Sequence, residues 1–471
     1  MLKQGTVRDS AVSTLIAAVL VLALGITLLT VLQTDIVPNQ NLDSEADHRE
    51  MVEEDIESFG ATVEKSSSKA MPTSYQFDTE VEYNRRMMLM NPPSRIGRVN
   101  TSKVSVSVSN AVATKNQTDD YWNGSELVFD SRAVSFDPGY NYLKNAPESV
   151  YEHGVSYNYF GDSLKNANLT FLQQSMVQGD SIELVTLNGS ISKTRSIPTV
   201  ALKPTSPRGR TVTVKNETDK NITLTIESRL SKENWSEILS DQEYVHNVSD
   251  GNGDKVNVTL KQGTEYSLGL TRVNIDRGRQ TRPKYITNVR NNGTFVHHRN
   301  GEVKNSNYVY DGNGRKLIVE VRDRFDNPVS GVQVNSSINN LRDAAITDSS
   351  VTDADGRAEF YYRPPTQRKA ANITLSFSDN PGPLERTRYI LDVQSSRTVT
   401  IGNKSGVYTM RNGSSVDGPH TTSSPEVLAP YDNIDSVDGL DISFVTKGTG
   451  GNGGGGGNQG GGGNQGGGGN Q

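Results

Sequence analysis

Acceptors for N-linked glycans are the most frequent chemical signal in this chain of 471 residues. The tripeptide N-x-S/T occurs fifteen times, about twice what the composition would give by chance. A glycan on any of these asparagines requires a surface position. The predicted acceptors are Asn100, Asn116, Asn123, Asn168, Asn188, Asn216, Asn221, Asn234, Asn247, Asn257, Asn292, Asn335, Asn372, Asn403 and Asn412. None precedes residue 100, a placement that agrees with the topology predicted below from the apolar stretch near the N-terminus.

A serine that could act as a nucleophile lies in Phe160-Gly161-Asp162-Ser163-Leu164. This segment resembles the opening block of the GDSL esterases, in which the serine attacks the substrate. A hydrolase also needs a histidine base held by an acid, and an oxyanion donor. The chain has six histidines, and neither the G-x-N-D nor the D-x-x-H block of that family is found. We therefore predict that the protein is not an enzyme.

Two clusters have residue types suited to metal binding. His297 and His298 are adjacent, and neighbouring residues of a strand point to opposite faces. Residues 250–254 have the acidic spacing that opens a calcium loop, but Lys261 stands where the loop needs a glutamate. The chain has no cysteine, which excludes thiolate ligands, thiol catalysis and disulfides. We predict no metal ion and no cofactor.

A long apolar stretch covers residues 11–32 and contains no charge, no proline and one glycine. As a helix it is about 33 Å long, enough to cross the hydrocarbon core of a bilayer. Lys3 and Arg8 precede it, whereas Asp35 and Asp43 follow it. The positive-inside bias therefore predicts a cytoplasmic leader over residues 1–10, a transmembrane helix over 11–33, and an extracellular remainder.

The N-terminus also resembles that of haloarchaeal type IV pilin-like proteins. The resemblance is carried by the leader MLKQG, by residues 8–13 leading into the apolar helix, and by Ile36-Val37-Pro38-Asn39-Gln40-Asn41 after it. It implies that a prepilin-type peptidase cleaves at Gly5 and leaves the helix in the mature protein. A secretory signal peptide, by contrast, has a shorter apolar core and a small-residue cleavage site after it.

The sequence predicts an amphipathic stalk helix over residues 34–66. We expect Pro38 to interrupt the chain before it, and Glu45 and Arg49 to form an exposed ion pair on it. Four apolar residues recur at spacings of four, three and four and so share one face: Val52, Ile56, Phe59 and Val63. As a stalk that continues the apolar helix, it would pack this face against the following domain; the alternative is a juxtamembrane amphipathic helix, and both place it next to the membrane.

Residues 67–305 have the pattern of a β-rich extracellular domain. Apolar residues alternate with serine, threonine or asparagine in several short runs, which is typical of half-buried strands. The clearest examples are Val104, Val106 and Val108; Val212 and Val214; Leu224 and Ile226; and Val256 and Val258. Turn sequences such as Asn123-Gly124 and Asp137-Pro138-Gly139 separate the runs. The number of domains, one or two, stays open.

Two sequence blocks stand out within residues 306–396. Residues 321–334 match V-x-D-x-x-x-N-P-V-x-G-V-x-V, and residues 352–358 match T-D-x-x-G-x-A. Strands and tight turns in this order suit a small antiparallel sandwich. The blocks resemble those of bacterial Ig-like modules of the invasin and intimin type, and the resemblance implies an Ig-like β-sandwich. Such modules occur as spacers and as adhesin stalks, so they do not identify a ligand.

The rest of the chain is polar. Residues 397–447 are rich in glycine, serine and proline, and residues 448–471 contain little but glycine, asparagine and glutamine. The second tract cannot bury a core, and we predict a disordered tail.

The predicted fold is therefore mainly β, with an N-terminal transmembrane helix. We predict a membrane-anchored, N-glycosylated surface protein with a structural or adhesive role. Its partner is the lipid bilayer, with other surface proteins, glycans or copies of itself left open. A net charge of −6 without a basic patch argues against nucleic acid. One alternative is a minor or tip subunit of a type IV pilus-like filament, and a second is an exported hydrolase.

Overall fold

The computed structural model shows a mainly β protein with one long helix at its N-terminus. It describes residues 6–446 except for 88, 116–117, 162–168, 171–173, 208, 290–294, 299–301, 306–308, 311–314, 340–344, 364–369, 395–396, 410–414 and 423–441. The predicted tail over residues 448–471 and the predicted cleavage residue Gly5 both lie outside the described residues.

The long helix has two halves joined by a π-helical turn. Helix α1 (Thr6–Val31) passes through the turn Leu32–Ile36 into α2 (Val37–Lys69) without a break. The predicted interruption at Pro38 is therefore wrong. The proline stands in the first turn of α2, and the wider π turn comes just before it, where its ring would otherwise crowd an earlier carbonyl. The helix ends at Lys69, three residues beyond the predicted end at 66.

The first β domain consists of two sheets and one short helix, α3 (Lys232–Ile238). Its strands are β1 (Thr73–Gln76), β2 (Arg98–Ser109), β3 (Ala111–Ala113), β4 (Leu127–Asp137), β5 (Glu148–Glu152), β6 (Val155–Tyr159), β7 (Leu169–Thr170), β8 (Val177–Gln178), β9 (Ser181–Gly189), β10 (Ser192–Lys193), β11 (Thr199–Ser206), β12 (Val212–Asn216), β13 (Thr223–Glu227), β14 (Val245–Asp250), β15 (Lys255–Leu260) and β16 (Tyr266–Ile275).

One sheet has the order β1-β11-β16-β12-β3, with β9 parallel to β16 and β8 on β9. The other has the order β14-β15-β13-β2-β4-β5-β6-β7, with β10 on β2. The predicted alternation is confirmed, because the apolar members of β2, β12, β13 and β15 are all buried between the sheets. Residues of both sheets pack together in the apolar cores between them.

The second β domain is a sandwich of two sheets. Its strands are β17 (Pro283–Asn288), β18 (Phe295–His298), β19 (Glu302–Asn305), β20 (Val309–Tyr310), β21 (Arg315–Asp323), β22 (Gln333–Ile338), β23 (Ala345–Ile346), β24 (Ser349–Val351), β25 (Arg357–Arg363), β26 (Ala370–Ser376) and β27 (Arg386–Gln394). The sheet β17-β21-β25-β23 faces the sheet β18-β19-β27-β26-β22-β24 across a common core, and β20 pairs with β27. The domain begins at β17 rather than at the predicted residue 306, because β17 pairs with β21 in this sandwich.

Both sequence blocks of this domain form the expected turns. In the second block, the Asp353 carboxylate accepts hydrogen bonds from the backbone N–H groups of Asp355 and Arg357, each at 2.9 Å. Gly356 has φ +71°, and a Cβ there would lie 2.7 Å from the carbonyl oxygen of Val321. Only glycine fits this position.

The predicted polar segment 397–447 contains a third group of strands. β28 (Arg397–Thr409) pairs with β29 (Ser415–Thr422) and with β30 (Ile442–Thr446), both antiparallel. Threonine and valine at alternate positions of β28 suit a strand, a pattern that the overall polarity of the segment hides.

Candidate functional site: the exposed helix and its buried continuation

The first half of the long helix is apolar and lies outside the protein core. Leu15, Leu20 and Leu24 are 64–72% exposed, and no residue from 13 to 30 is buried. Three polar groups in this half are satisfied inside the helix, since the hydroxyls of Thr27, Thr30 and Thr34 donate to the carbonyls four residues earlier at 2.8–2.9 Å. Among the described residues, this is the helix with the length and composition to cross a membrane.

The second half of the helix is inserted into the first β domain. The four residues predicted to share a face, Val52, Ile56, Phe59 and Val63, are each at most 2% exposed, which confirms the prediction. The Phe59 ring packs 5.3 Å from the ring of Phe77 and 5.6 Å from that of Tyr151. Helix α2 thus shares one core with strands of both sheets.

Glu45 anchors the start of α2 to a loop of the first β domain. Its side chain is fully buried and accepts four hydrogen bonds. The donors are the Tyr83 hydroxyl at 2.6 Å and the backbone N–H groups of Asn141 at 2.8 Å, Tyr142 at 2.8 Å and Leu143 at 2.6 Å. The prediction of an exposed Glu45–Arg49 pair is wrong, because the carboxylate is taken up by this loop.

Arg49 instead lies 3.4 Å from Glu53. The residue directly before it, His48, is buried, and its Nδ1 lies 2.8 Å from the hydroxyl of Tyr140. Burial lowers the pKa of His48 and outweighs the acidic groups nearby. Two turns further on, the Asp55 carboxylate accepts hydrogen bonds from the Tyr75 hydroxyl and the Asp78 backbone, at 2.9 and 2.8 Å.

The first sequence block, around residues 323–327, is also the joint between the two β domains. The Asn327 side chain donates to the Ser206 hydroxyl at 2.8 Å and to the Leu270 carbonyl at 2.6 Å, and accepts from the Gly209 N–H at 3.0 Å. Phe325 is 1% exposed and lies in the core of the first domain. The turn that the block predicts therefore also fastens the second domain to the first.

Aromatic and charged residues extend this joint. The rings of Tyr121 and Tyr285 stack at 4.8 Å, and the Tyr121 hydroxyl donates to the Arg324 carbonyl at 2.8 Å. Arg210 of the first domain lies 3.0 Å from the buried Glu320 of the second. These contacts join the two domains through hydrogen bonds, an ion pair and shared apolar packing.

The structure places the predicted glycan acceptors in different environments. Asn123, Asn247 and Asn372 are exposed, whereas Asn234 is 7% exposed and forms a capping box with Ser231 at the start of α3. Four are partly buried with their Nδ2 groups donating to protein oxygens: Asn188, Asn216, Asn221 and Asn257. Asn100 and Asn335 are partly buried, and Asn403 lies in β28. Asn116, Asn168, Asn292 and Asn412 lie outside the described residues.

The catalytic and metal candidates are not assembled into a site. Ser163 lies outside the described residues, and His297 and His298 lie in β18. The loop after Asp250 is a tight hairpin in which the Gly251 N–H donates to the Lys255 carbonyl at 2.7 Å. Within the described residues, no three metal-ligating side chains converge.

Comparison with known proteins leaves the family open. No family model matches the chain. An uncharacterised protein of Archaeoglobus fulgidus is 25% identical over 327 residues, which are 69% of this chain and 52% of that protein. The chain thus spans about half the length of the curated relative that it matches.

Similar solved structures include two of the adhesins that the sequence blocks resemble. The D0-D1 domain of intimin is 14% identical, the match covers 61% of this chain and 96% of that one, and the TM-score is 0.17. Invasin, a bacterial integrin-binding protein, is 10% identical, the match covers 74% of this chain and 63% of that one, and the TM-score is 0.19. Domains 4 and 5 of the S-layer protein SbsC are 12% identical, with 29% of this chain and 63% of that one covered and a TM-score of 0.17.

Proposed function

We propose that this protein is a membrane-anchored surface protein whose β domains face outward and serve a structural or adhesive role. One observation carries the proposal. A helix that is exposed and apolar over its first half continues without a break into a half that is buried in a β domain. The first half has no protein surface to pack against among the described residues, so a bilayer is the environment that suits it.

The first half of the helix exposes a large apolar surface. Eleven large apolar side chains between Leu15 and Val31 are at least 40% exposed. Burying one such side chain is worth about 1.5–3 kcal/mol, so their transfer into lipid is worth on the order of 20 kcal/mol. A folded domain is stable by only about 5–15 kcal/mol. Leaving this surface in water would therefore favour aggregation, which insertion into a membrane prevents.

The direction of insertion is part of the proposal. Lys3 and Arg8 before the apolar stretch, and Asp35 and Asp43 after it, favour a cytoplasmic N-terminus and an extracellular ectodomain. The ectodomain then carries the glycan acceptors. We expect glycans on the exposed Asn123, Asn247 and Asn372, and none on the buried Asn234. Glycopeptide mass spectrometry of the native protein tests this, and a glycan on Asn234, or unmodified asparagines at all three exposed positions, would contradict it.

A second candidate function is a pilin-like subunit, minor or at the tip, of a type IV pilus-like filament. The same helix favours it, because an apolar half free of its own domain could bundle with the apolar halves of other copies. In this case the leader is removed at Gly5 before assembly. The two candidates share the anchored helix and differ in what surrounds it after processing.

One experiment separates them. The native protein is recovered from membranes and from sheared filaments, and its N-terminus is determined by mass spectrometry. An N-terminus at or just after Gly5 in the filament fraction supports the pilin-like subunit. An intact N-terminus found only in detergent-extracted membranes supports the anchored surface protein. Cleavage beyond Leu32 would refute both, since the mature protein would lack the apolar helix.

A further inference from the structure

An exposed apolar loop lies beside the point where the long helix leaves the first β domain. The loop follows Arg85 and Arg86 and carries Met87, Leu89 and Met90. Met87 is 102% exposed and Met90 is 79% exposed, while Leu89 is partly buried. Two methionines that are this exposed and this close together form an apolar surface patch, which is typical of a site that contacts a partner or a membrane.

The height of this loop along the helix is fixed by hydrogen bonds. Gln33 accepts from the backbone N–H of Met90 at 2.9 Å and donates through Nε2 to the Met90 carbonyl at 2.8 Å. Arg86, at the start of the loop, donates to the side chains of Gln40 at 2.8 Å and Asn41 at 3.1 Å. Since a helix rises about 1.5 Å per residue, the loop descends about 10 Å towards the apolar half between these two points.

Gln33 directly follows Leu32, the last residue of the apolar stretch. The backbone of Met90 therefore lies level with the end of the membrane-crossing part of the helix. The loop and the end of the apolar stretch are therefore joined at this level by the hydrogen bonds of Gln33. Arg85, two residues before Met87 in the chain, is exposed, and a basic side chain so close to an inserted loop would suit lipid phosphates.

We infer that this loop is a second membrane contact, with Met87 and Met90 inserted into the outer interface of the bilayer beside the helix. The inference rests on the proposed membrane anchorage and deepens it. The partner is the lipid surface, entered to a depth of about 5–10 Å, as interfacial apolar segments do. The loop would then hold the ectodomain against the membrane at a second point, away from the helix axis.

The absence of cysteine allows a direct test, because every introduced cysteine is the only one in the chain. The variants Met87→Cys and Met90→Cys are labelled with the environment-sensitive fluorophore NBD in the full chain. They are placed in nanodiscs of phosphatidylcholine and phosphatidylglycerol, which leave both membrane faces accessible. Met51→Cys and Met71→Cys are matched controls, since these methionines are 48% and 62% exposed and lie further along or beyond α2. Leu22→Cys reports insertion of the helix itself.

We expect the labels at positions 87 and 90 to emit at shorter wavelength than those at 51 and 71. Nitroxide placed on the upper acyl chain should quench them, and aqueous iodide should not. Quenching by iodide as strong as at position 71, with Leu22→Cys in lipid, would overturn the inference and leave the anchorage intact. Protection from iodide without quenching by lipid nitroxide would also overturn it, because a second protein copy would then cover the loop. A Leu22→Cys label outside lipid would refute the anchorage and the inference together.

Discussion

Replacing Glu45 by glutamine tests whether the buried carboxylate fastens the long helix to the first β domain. The carboxylate accepts one hydrogen bond from Tyr83 and three from the backbone of residues 141–143. A glutamine amide has the same shape, but its NH₂ group cannot accept a hydrogen bond, so two of the four donors lose their acceptor. Hydrogen bonds to a charged group contribute about 1.5–3 kcal/mol each, and the expected loss is about 3–6 kcal/mol.

The assay is urea unfolding of the full chain in detergent micelles, followed by tryptophan fluorescence. Both tryptophans, Trp122 and Trp235, are buried in the first β domain and report its unfolding. Glu50→Gln is the control, because Glu50 lies on the same helix and is exposed, and it should change stability by less than about 0.5 kcal/mol. Hydrogen exchange at residues 141–143 should accelerate in Glu45→Gln only. An unchanged midpoint and unchanged exchange in Glu45→Gln would refute the anchoring role.

Two further predictions concern acid sensitivity and the joint between the β domains. Burial lowers the pKa of His48 and of His153, so the unfolded chain binds more protons below about pH 6.5 and stability falls as pH drops from 7 to 5. A His48→Gln/His153→Gln variant should have a flatter profile of urea midpoint against pH, and an equally steep one would contradict this. Asn327→Ala should cost about 1–3 kcal/mol and speed exchange of the Gly209 amide, whereas Asn372→Ala, at an exposed site, should change neither.

The elements with a local periodic signal were predictable from the sequence. The spacing of Val52, Ile56, Phe59 and Val63 is a property of one helix face, and it led directly to the buried side of α2. The alternation in β2, β12, β13 and β15 likewise reports burial on one side of a sheet. Both signals arise from neighbours within one element, which is why composition and spacing reveal them.

The role of Glu45 was not predictable in this way. It lies seven residues before Val52, on the buried face, but a glutamate at such a position is ordinarily assigned to the surface. Three of its four donors are backbone N–H groups almost 100 residues later. Nearly every residue has such a group, so the sequence does not show which of them will bind the carboxylate. The one signal in the sequence was the position of Glu45, a charged residue at helical spacing from the apolar residues of the buried face.

The joint between the domains shows the same limit. The block around Asn327 correctly indicated a tight turn, because proline and asparagine favour one. It did not indicate that the Asn327 amide would bind Ser206 and Leu270 of the preceding domain. Local turn chemistry predicts the path of the backbone, while the neighbours of a side chain depend on how distant segments pack.

The long helix passes without a break from exposed apolar residues to residues buried in the first β domain, and this continuity determines how the β domains would be oriented in the proposed membrane-anchored protein. Transmembrane helices tilt by about 20° from the bilayer normal on average. With no hinge between Leu32 and Val37, the first β domain of the proposed membrane-anchored protein would take the tilt of the helix instead of reorienting freely above the membrane. Neighbouring copies would then display their outer faces at a common angle. An encounter with a partner would lose less orientational entropy than one with a domain on a flexible tether.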